Sequence, residues 1–166
     1  MTPFRKRTYT SFSQFVQDIR FLMANRKSIR RITQEKALSG TFRERLMLAV
    51  TQVNDCRYCT RAHTKAALME GLSADEIGTI LGGEFDGCPA GEIPAMLYAE
   101  HWAETEGRPD NEAHEKLIQT YGRETVADID IVLRVIRTGN YSGNTLDYFL
   151  YRLSFGRLGF PKKAGA

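Results

Sequence analysis

Apolar residues along this chain recur every three to four positions, and no segment sustains the alternation of a strand. From Ser11, the positions Phe12, Phe15, Val16, Ile19, Leu22 and Met23 follow the spacing of an amphipathic helix, and Ser11-x-x-Gln14 forms a capping box at its start. A second helix is predicted from Phe42 to Val53, with Phe42, Leu46, Ala49, Val50 and Val53 on one side. Asn54 and Asp55, both good N-cap residues, interrupt that pattern, so a third helix is predicted from Cys56 to a left-handed Gly71. Ser73-x-x-Glu76 opens a short helix that ends at Gly82-Gly83, and an irregular stretch holding Cys88-Pro89 runs on to Gly91. Pro94 suits the first turn of a helix from Ile93 to Ala103, and Gly107-Arg108-Pro109-Asp110 closes it. Further helices are predicted over Glu112–Tyr121, Thr125–Thr138 and Thr145–Phe155. The expected fold is all-α, a single-domain bundle of about seven to eight helices. Residues 1–34 form a basic amphipathic arm, 35–158 the helical domain and 159–166 a loose tail.

Composition supports a folded chain. Of 166 residues, 42% are hydrophobic and 26% charged, which excludes wholesale disorder. The longest apolar runs, such as Leu46-Met47-Leu48-Ala49-Val50, fall well short of the roughly 20 residues that span a bilayer. Phe4-Arg5-Lys6-Arg7 is basic, but Gln14, Asp18 and Arg20 follow where a secretory signal would be apolar, so the expected location is the cytoplasm. Charge is uneven: residues 1–36 hold nine cations against Asp18 and Glu35, a net +7 in a chain whose total is +3, leaving −4 for the rest. No RNA-binding motif, zinc-finger spacing or helix-turn-helix accompanies this arm, so neither nucleic acid nor membrane is the expected partner; a subunit contact or a solvated face is.

Chemistry concentrates in Cys56-Arg57-Tyr58-Cys59. In a reducing compartment such a pair is redox-active or metal-binding rather than a structural staple. At about 100° per residue, Cys56, Cys59 and His63 project within an arc of roughly 60° on one helix face. A helix N-terminus favours the thiolate of Cys56, whereas a base one turn away, His63, favours Cys59, and periodicity leaves that choice open. The competing reading is a non-catalytic zinc module, with Cys88, His101 or Glu44 as a fourth ligand beside Cys56, Cys59 and His63. Thr60 after Cys59 excludes a c-type haem site. Cys88 reads as a bystander, and His101 and His114 as surface or interface residues. Asn140 and Asn144, flanked by glycines, are either turn or cap residues or partners of the active-site helix.

A Glu twelve residues before the first Cys, a CxxC, and a His four residues after the second, here Glu44, Cys56, Cys59 and His63, together resemble the signature of the alkyl hydroperoxidase D and carboxymuconolactone decarboxylase-like family. The resemblance extends more weakly through Gly71-Leu-Ser-Ala-Asp-Glu-Ile, Tyr98-Ala-Glu and Gly139-Asn140-Tyr-Ser-Gly-Asn144, over about residues 35–155. It implies a helical fold assembled into a homo-oligomer, a trimer or a multiple of one. It also implies a thiol peroxidase in which Cys59 is the peroxidatic thiol, Cys56 the resolving thiol, and Glu44 with His63 the proton relay. The implied partners are a hydroperoxide and an external dithiol or thioredoxin-like reductant, with no cofactor. The best-studied hydroperoxidases of this type have His just before the second Cys; Tyr58 stands there in this chain, a poor base but a hydrogen-bond donor, and it and Asn140 are candidate auxiliary residues. The decarboxylase branch lacks the CxxC, which makes decarboxylation the lesser expectation. A redox-sensing partner protein is a further alternative.

Overall fold

The computed structural model describes residues 4, 6–34 and 37–159. Among them are eight helices and no strand: α1 (Phe12–Ala24), α2 (Arg26–Gln34), α3 (Gly40–Asn54), α4 (Arg57–Glu70), α5 (Ala74–Leu81), α6 (Ile93–Glu104), α7 (Asn111–Tyr121) and α8 (Arg123–Leu153). Local chemistry sets the boundaries. Ser11 and Ser73 accept the backbone N–H of Gln14 and Glu76, as their capping boxes require, and Gly71 ends α4 at φ 102°. The loose tail expected over 159–166 lies, beyond Gly159, outside the described residues.

Helix α3 is the axis of the molecule, packed against α4, α5, α6 and α8. Leu46, Leu48, Ala49 and Val50 are wholly enclosed, with Ile80 of α5, Met96 and Ala99 of α6, and Ile129 and Leu133 of α8 around them. Surrounded on so many sides, α3 also takes polar side chains inside: Glu44, Arg45, Thr51 and Asn54 are all buried. No helix of the described residues is long and apolar enough to cross a membrane.

Two elements differ from the sequence expectation. Helix α2 has only Ile29 and Ile32 as apolar residues among its cations, too few for a visible stripe, and Asn25 alone separates it from α1. Tertiary contacts hold it: Ile32 is buried in the core and Arg31 pairs with Asp128 of α8. The two helices expected at Thr125–Thr138 and Thr145–Phe155 are one, α8, which runs unbroken through Gly139-Asn140-Tyr141-Ser142-Gly143. These glycines make room instead of a turn. A Cβ on Gly143 would stand 2.9 Å from Cys56 Sγ and 3.2 Å from the Tyr58 ring, so α4 can seat on α8 only where that side chain is missing.

The basic arm is likewise built into the molecule. Lys6 reaches Asp147, Arg7 donates to the backbone carbonyls of Ala103 and Glu104, and Tyr9 N–H donates to Thr145 Oγ1 at 3.1 Å. Asp18 of α1, buried, receives Arg137 at 2.6 Å and the Tyr9 hydroxyl at 3.1 Å, which fastens α1 to α8.

The two glycines are expected to respond oppositely to alanine. Gly139→Ala places its methyl 3.9 Å from Cys59 Sγ, an ordinary contact, and should gain up to about 1 kcal/mol from helix propensity. Gly143→Ala should lose about 1–3 kcal/mol through overpacking against Cys56. Urea denaturation of the reduced proteins measures both, and equal stabilities for the two variants would contradict the close approach.

Candidate active site

Asp55, at φ 51°, ends α3 in the left-handed conformation and turns the chain so sharply that α4 begins two residues on. The N-cap is therefore Cys56, not Asn54 or Asp55. Its extended backbone aims Sγ back at the helix, where it accepts the Cys59 N–H at 3.4 Å. Cys56 is fully buried against Gly143, while Cys59, one turn on, is half-buried. Their sulfurs are 2.6 Å apart, both thiols free, a separation little greater than the ~2.05 Å of a disulfide bond.

A hydrogen bond links these sulfurs. The hydrogen bond from Cys59 brings the Cys56 thiol down to about 7 against the opposition of burial, with help from the Cys59 and Tyr58 backbone N–H groups and the positive charge of Lys6. Cys59 is pushed up, first by that same hydrogen bond and then by burial, although the Asn140 side chain donates to it and opposes the rise. In the reduced pair, Cys56, at the helix N-terminus, is thus shifted toward the thiolate and Cys59 toward the thiol. The accessible sulfur and the acidic sulfur are different residues.

Helix α3 brings in Glu44, which spacing alone does not place. Buried, it has one carboxylate oxygen 2.8 Å from His63 Nδ1 and the other 3.5 Å from Arg43 Nε. An Nδ1–H donated to that carboxylate fixes the tautomer and leaves Nε2 as the acceptor, one turn beyond Cys59 on α4. The Cys56–Cys59 pair and the Glu44–His63 pair thus both lie along the contact of α3 with α4.

Helix α8 closes the other side. Asn140 donates to Thr51 Oγ1 at 3.1 Å and accepts from Asn54 at 3.0 Å, while Asn144 donates to the Asn54 carbonyl at 2.7 Å and the Arg7 carbonyl at 3.0 Å. Both asparagines pack against the active-site corner rather than capping a turn. Tyr58 commits its hydroxyl to other partners than the thiols: it donates to Asp147 Oδ1 at 2.9 Å and accepts from Arg57 at 2.8 Å. Asp147, wholly buried, also receives Arg57 at 2.7 Å and Lys6 at 3.3 Å. Sequence reasoning missed Thr51, Asp147 and Lys6. For Asp147 a signal existed: Gly139, Gly143 and Asp147 repeat at four-residue intervals, one face of an unbroken helix.

Other candidates lie elsewhere. Cys88 is buried near Arg45, Glu76 and Glu92, and burial pushes its thiol up, as suits an inert residue. His101 pairs with Asp110 at 2.9 Å and His114 with Asp130 at 3.0 Å. Of the fourth zinc ligands considered, Cys88 and His101 are thus engaged away from the thiols and Glu44 is engaged by His63; among the described residues, no three His, Cys, Asp or Glu side chains converge as a metal site would need.

Raising the pH of the reduced protein from about 5 to 9 should develop one thiolate absorbance at 240 nm with a midpoint near 7, and that midpoint should be lost in Cys56→Ser. Cys59 and Cys88, both shifted upward, should contribute nothing in that range. A midpoint at the ordinary thiol value of about 8.5 in the wild type, or a midpoint near 7 that survives in Cys56→Ser, would contradict the assignment.

Searches of curated proteins and of solved structures return no match. The model of the carboxymuconolactone decarboxylase family matches residues 20–105, just over half of the chain, and that span contains Glu44, Cys56, Cys59 and His63 while leaving out Lys6, Asn140 and Asp147. On this match, together with the all-helical fold, the chain belongs to the carboxymuconolactone decarboxylase family.

Proposed function

We propose that this protein is a thiol-dependent peroxidase and disulfide oxidoreductase that reduces hydroperoxides through Cys56 and Cys59. The observation that carries the reading is the thiol pair itself: two free sulfurs 2.6 Å apart, one buried at a helix N-terminus, one accessible, with a carboxylate-oriented imidazole one turn beyond.

In the first step the Cys59 sulfur attacks the outer oxygen of ROOH, its proton passing to His63 Nε2. The O–O bond breaks, the alkoxide takes a proton and leaves as ROH, and Cys59 becomes a sulfenic acid. Glu44 stabilises the imidazolium formed in between. The Cys56 thiolate then attacks the Cys59 sulfur, and hydroxide leaves as water once protonated, giving the Cys56–Cys59 disulfide. A lowered pKa suits Cys56 twice: it favours the thiolate when Cys56 must resolve, and it makes Cys56 the better leaving group when the disulfide is reduced. A thiolate of an external dithiol or thioredoxin-like protein attacks the accessible Cys59, Cys56 departs, and the second external thiol releases Cys59 and carries away the oxidised dithiol. The cycle needs no bound cofactor and suits a reducing compartment such as the cytoplasm.

Homo-oligomerisation, as a trimer or a multiple of one, belongs to the same reading. Its support is a groove of about 550 Å³ between the arm, α1 and α8, where Phe12, Leu146 and Phe149 are exposed.

With a small dithiol present, the wild-type protein should consume an organic hydroperoxide catalytically. Cys59→Ser should remove that turnover, and Cys56→Ser, treated with hydroperoxide in the absence of any dithiol, should consume one equivalent and hold a sulfenic acid on Cys59. His63→Ala should slow the peroxide step by about 10²-fold or more. Unchanged consumption in Cys59→Ser would overturn the reading.

A further inference from the structure

The mechanism above leaves a buried cluster unused. Asp147 is fully enclosed and Lys6, with 2% of its side chain exposed, is nearly so, yet neither lies in the span that marks the family. Their place is specific. Asp147 is one turn along α8 from Gly143, whose missing side chain admits Cys56 Sγ, and the same carboxylate holds Arg57, the residue next to Cys56. Tyr58, the residue after that, donates its hydroxyl there too. One carboxylate thus gathers two cations, leaving a net positive charge beside the first turn of α4, where it adds to the field of the helix N-terminus.

We propose that Lys6 is a positioning residue of the thiol site: clamped on Asp147, it holds the Arg57–Tyr58 turn in place and supplies positive charge that stabilises the Cys56 thiolate. The N-terminal arm is then a working part of the site. The backbone fixes Lys6 there, because Asn144 binds the Arg7 carbonyl and Thr145 accepts the Tyr9 N–H. Titratable and charged groups around Cys56 are Cys59, Arg57 and Tyr58 from α4, Asp147 from α8 and Lys6 from the arm, with the Glu44–His63 pair beyond Cys59. Of these, Lys6 is the one that acts on the Cys56 charge from outside α4 and α8. The inference rests on the reading of Cys56 and Cys59 as a redox pair, but its test uses neither peroxide nor reductant.

The test is the 240 nm thiolate titration of the full-length reduced protein, with helical circular dichroism alongside to establish folding. Lys6→Met should raise the midpoint, leaving about three-fold less thiolate at any pH below it, the scale of one lost, partly screened charge. Lys6→Arg, which keeps the charge and the pairing, should restore the wild-type midpoint. If Lys6→Met does not fold, Lys6→Gln, which keeps a hydrogen-bond donor to Asp147 without the charge, should show the same upward shift. An unmoved midpoint in a folded, uncharged variant would overturn the proposal. A shifted midpoint in a protein that consumes no hydroperoxide would sink the proposed activity and leave the role of Lys6 standing.

Discussion

A helix enclosed on most sides cannot carry a polar side chain inward without a partner from another element, and α3 carries four. Those partners come from α4, α5, the start of α6 and α8. Glu44 takes His63 of α4; Arg45 takes Glu76 of α5 and Glu92 beside α6; Thr51 and Asn54 take Asn140 of α8. Two of these pairings, those of Arg45, lie beside the buried Cys88. The others converge on the corner between α3 and α4. The same desolvation that makes an unpaired Glu44 costly is what holds the imidazole of His63 in one orientation, so core formation and site assembly are one event.

The other half of the site depends on how closely α4 approaches α8. Gly143 removes the side chain that would keep the Cys56 sulfur away, and Asn140 and Asn144, on the same helix, supply hydrogen bonds where a purely apolar seam would supply none. Buried at that seam, the Cys56 sulfur would ordinarily lose acidity. It gains acidity instead, because the Cys59 thiol, two backbone N–H groups and the Lys6 charge all favour the anion. The pair divides labour by environment: acidity goes to the enclosed sulfur and access to the outer one.

Most of the fold is legible in the sequence because most helices advertise themselves locally, through capping serines, a C-terminal glycine and a clear apolar face. Helix α2 does not, since two isoleucines among cations make no stripe and its stability comes from contacts with α8. The continuity of α8 is hidden for the opposite reason: Gly139 and Gly143 look like local breakers, and only the presence of Cys56 across the seam shows that Gly143 is a space. The site follows the same division. Cys56, Cys59 and His63 lie on one helix and can be related by periodicity, and Glu44 is reached by family resemblance. Asp147 and Lys6 come from opposite ends of the chain, 141 positions apart, and no local pattern relates them. The charge asymmetry of the arm is legible as a fact but not as a purpose, because the acids that receive Lys6 and Arg31 sit in α8.

The central claim is that Cys56 and Cys59, and not Cys88, exchange electrons with a hydroperoxide. It is tested most directly by intact and peptide mass spectrometry of the reduced protein before and after one equivalent of an organic hydroperoxide. The account predicts the loss of two hydrogens from the intact protein, a peptide disulfide joining Cys56 to Cys59, and Cys88 still alkylable after denaturation. An unchanged mass, or oxidation that falls on Cys88 while the other two thiols stay free, would contradict it.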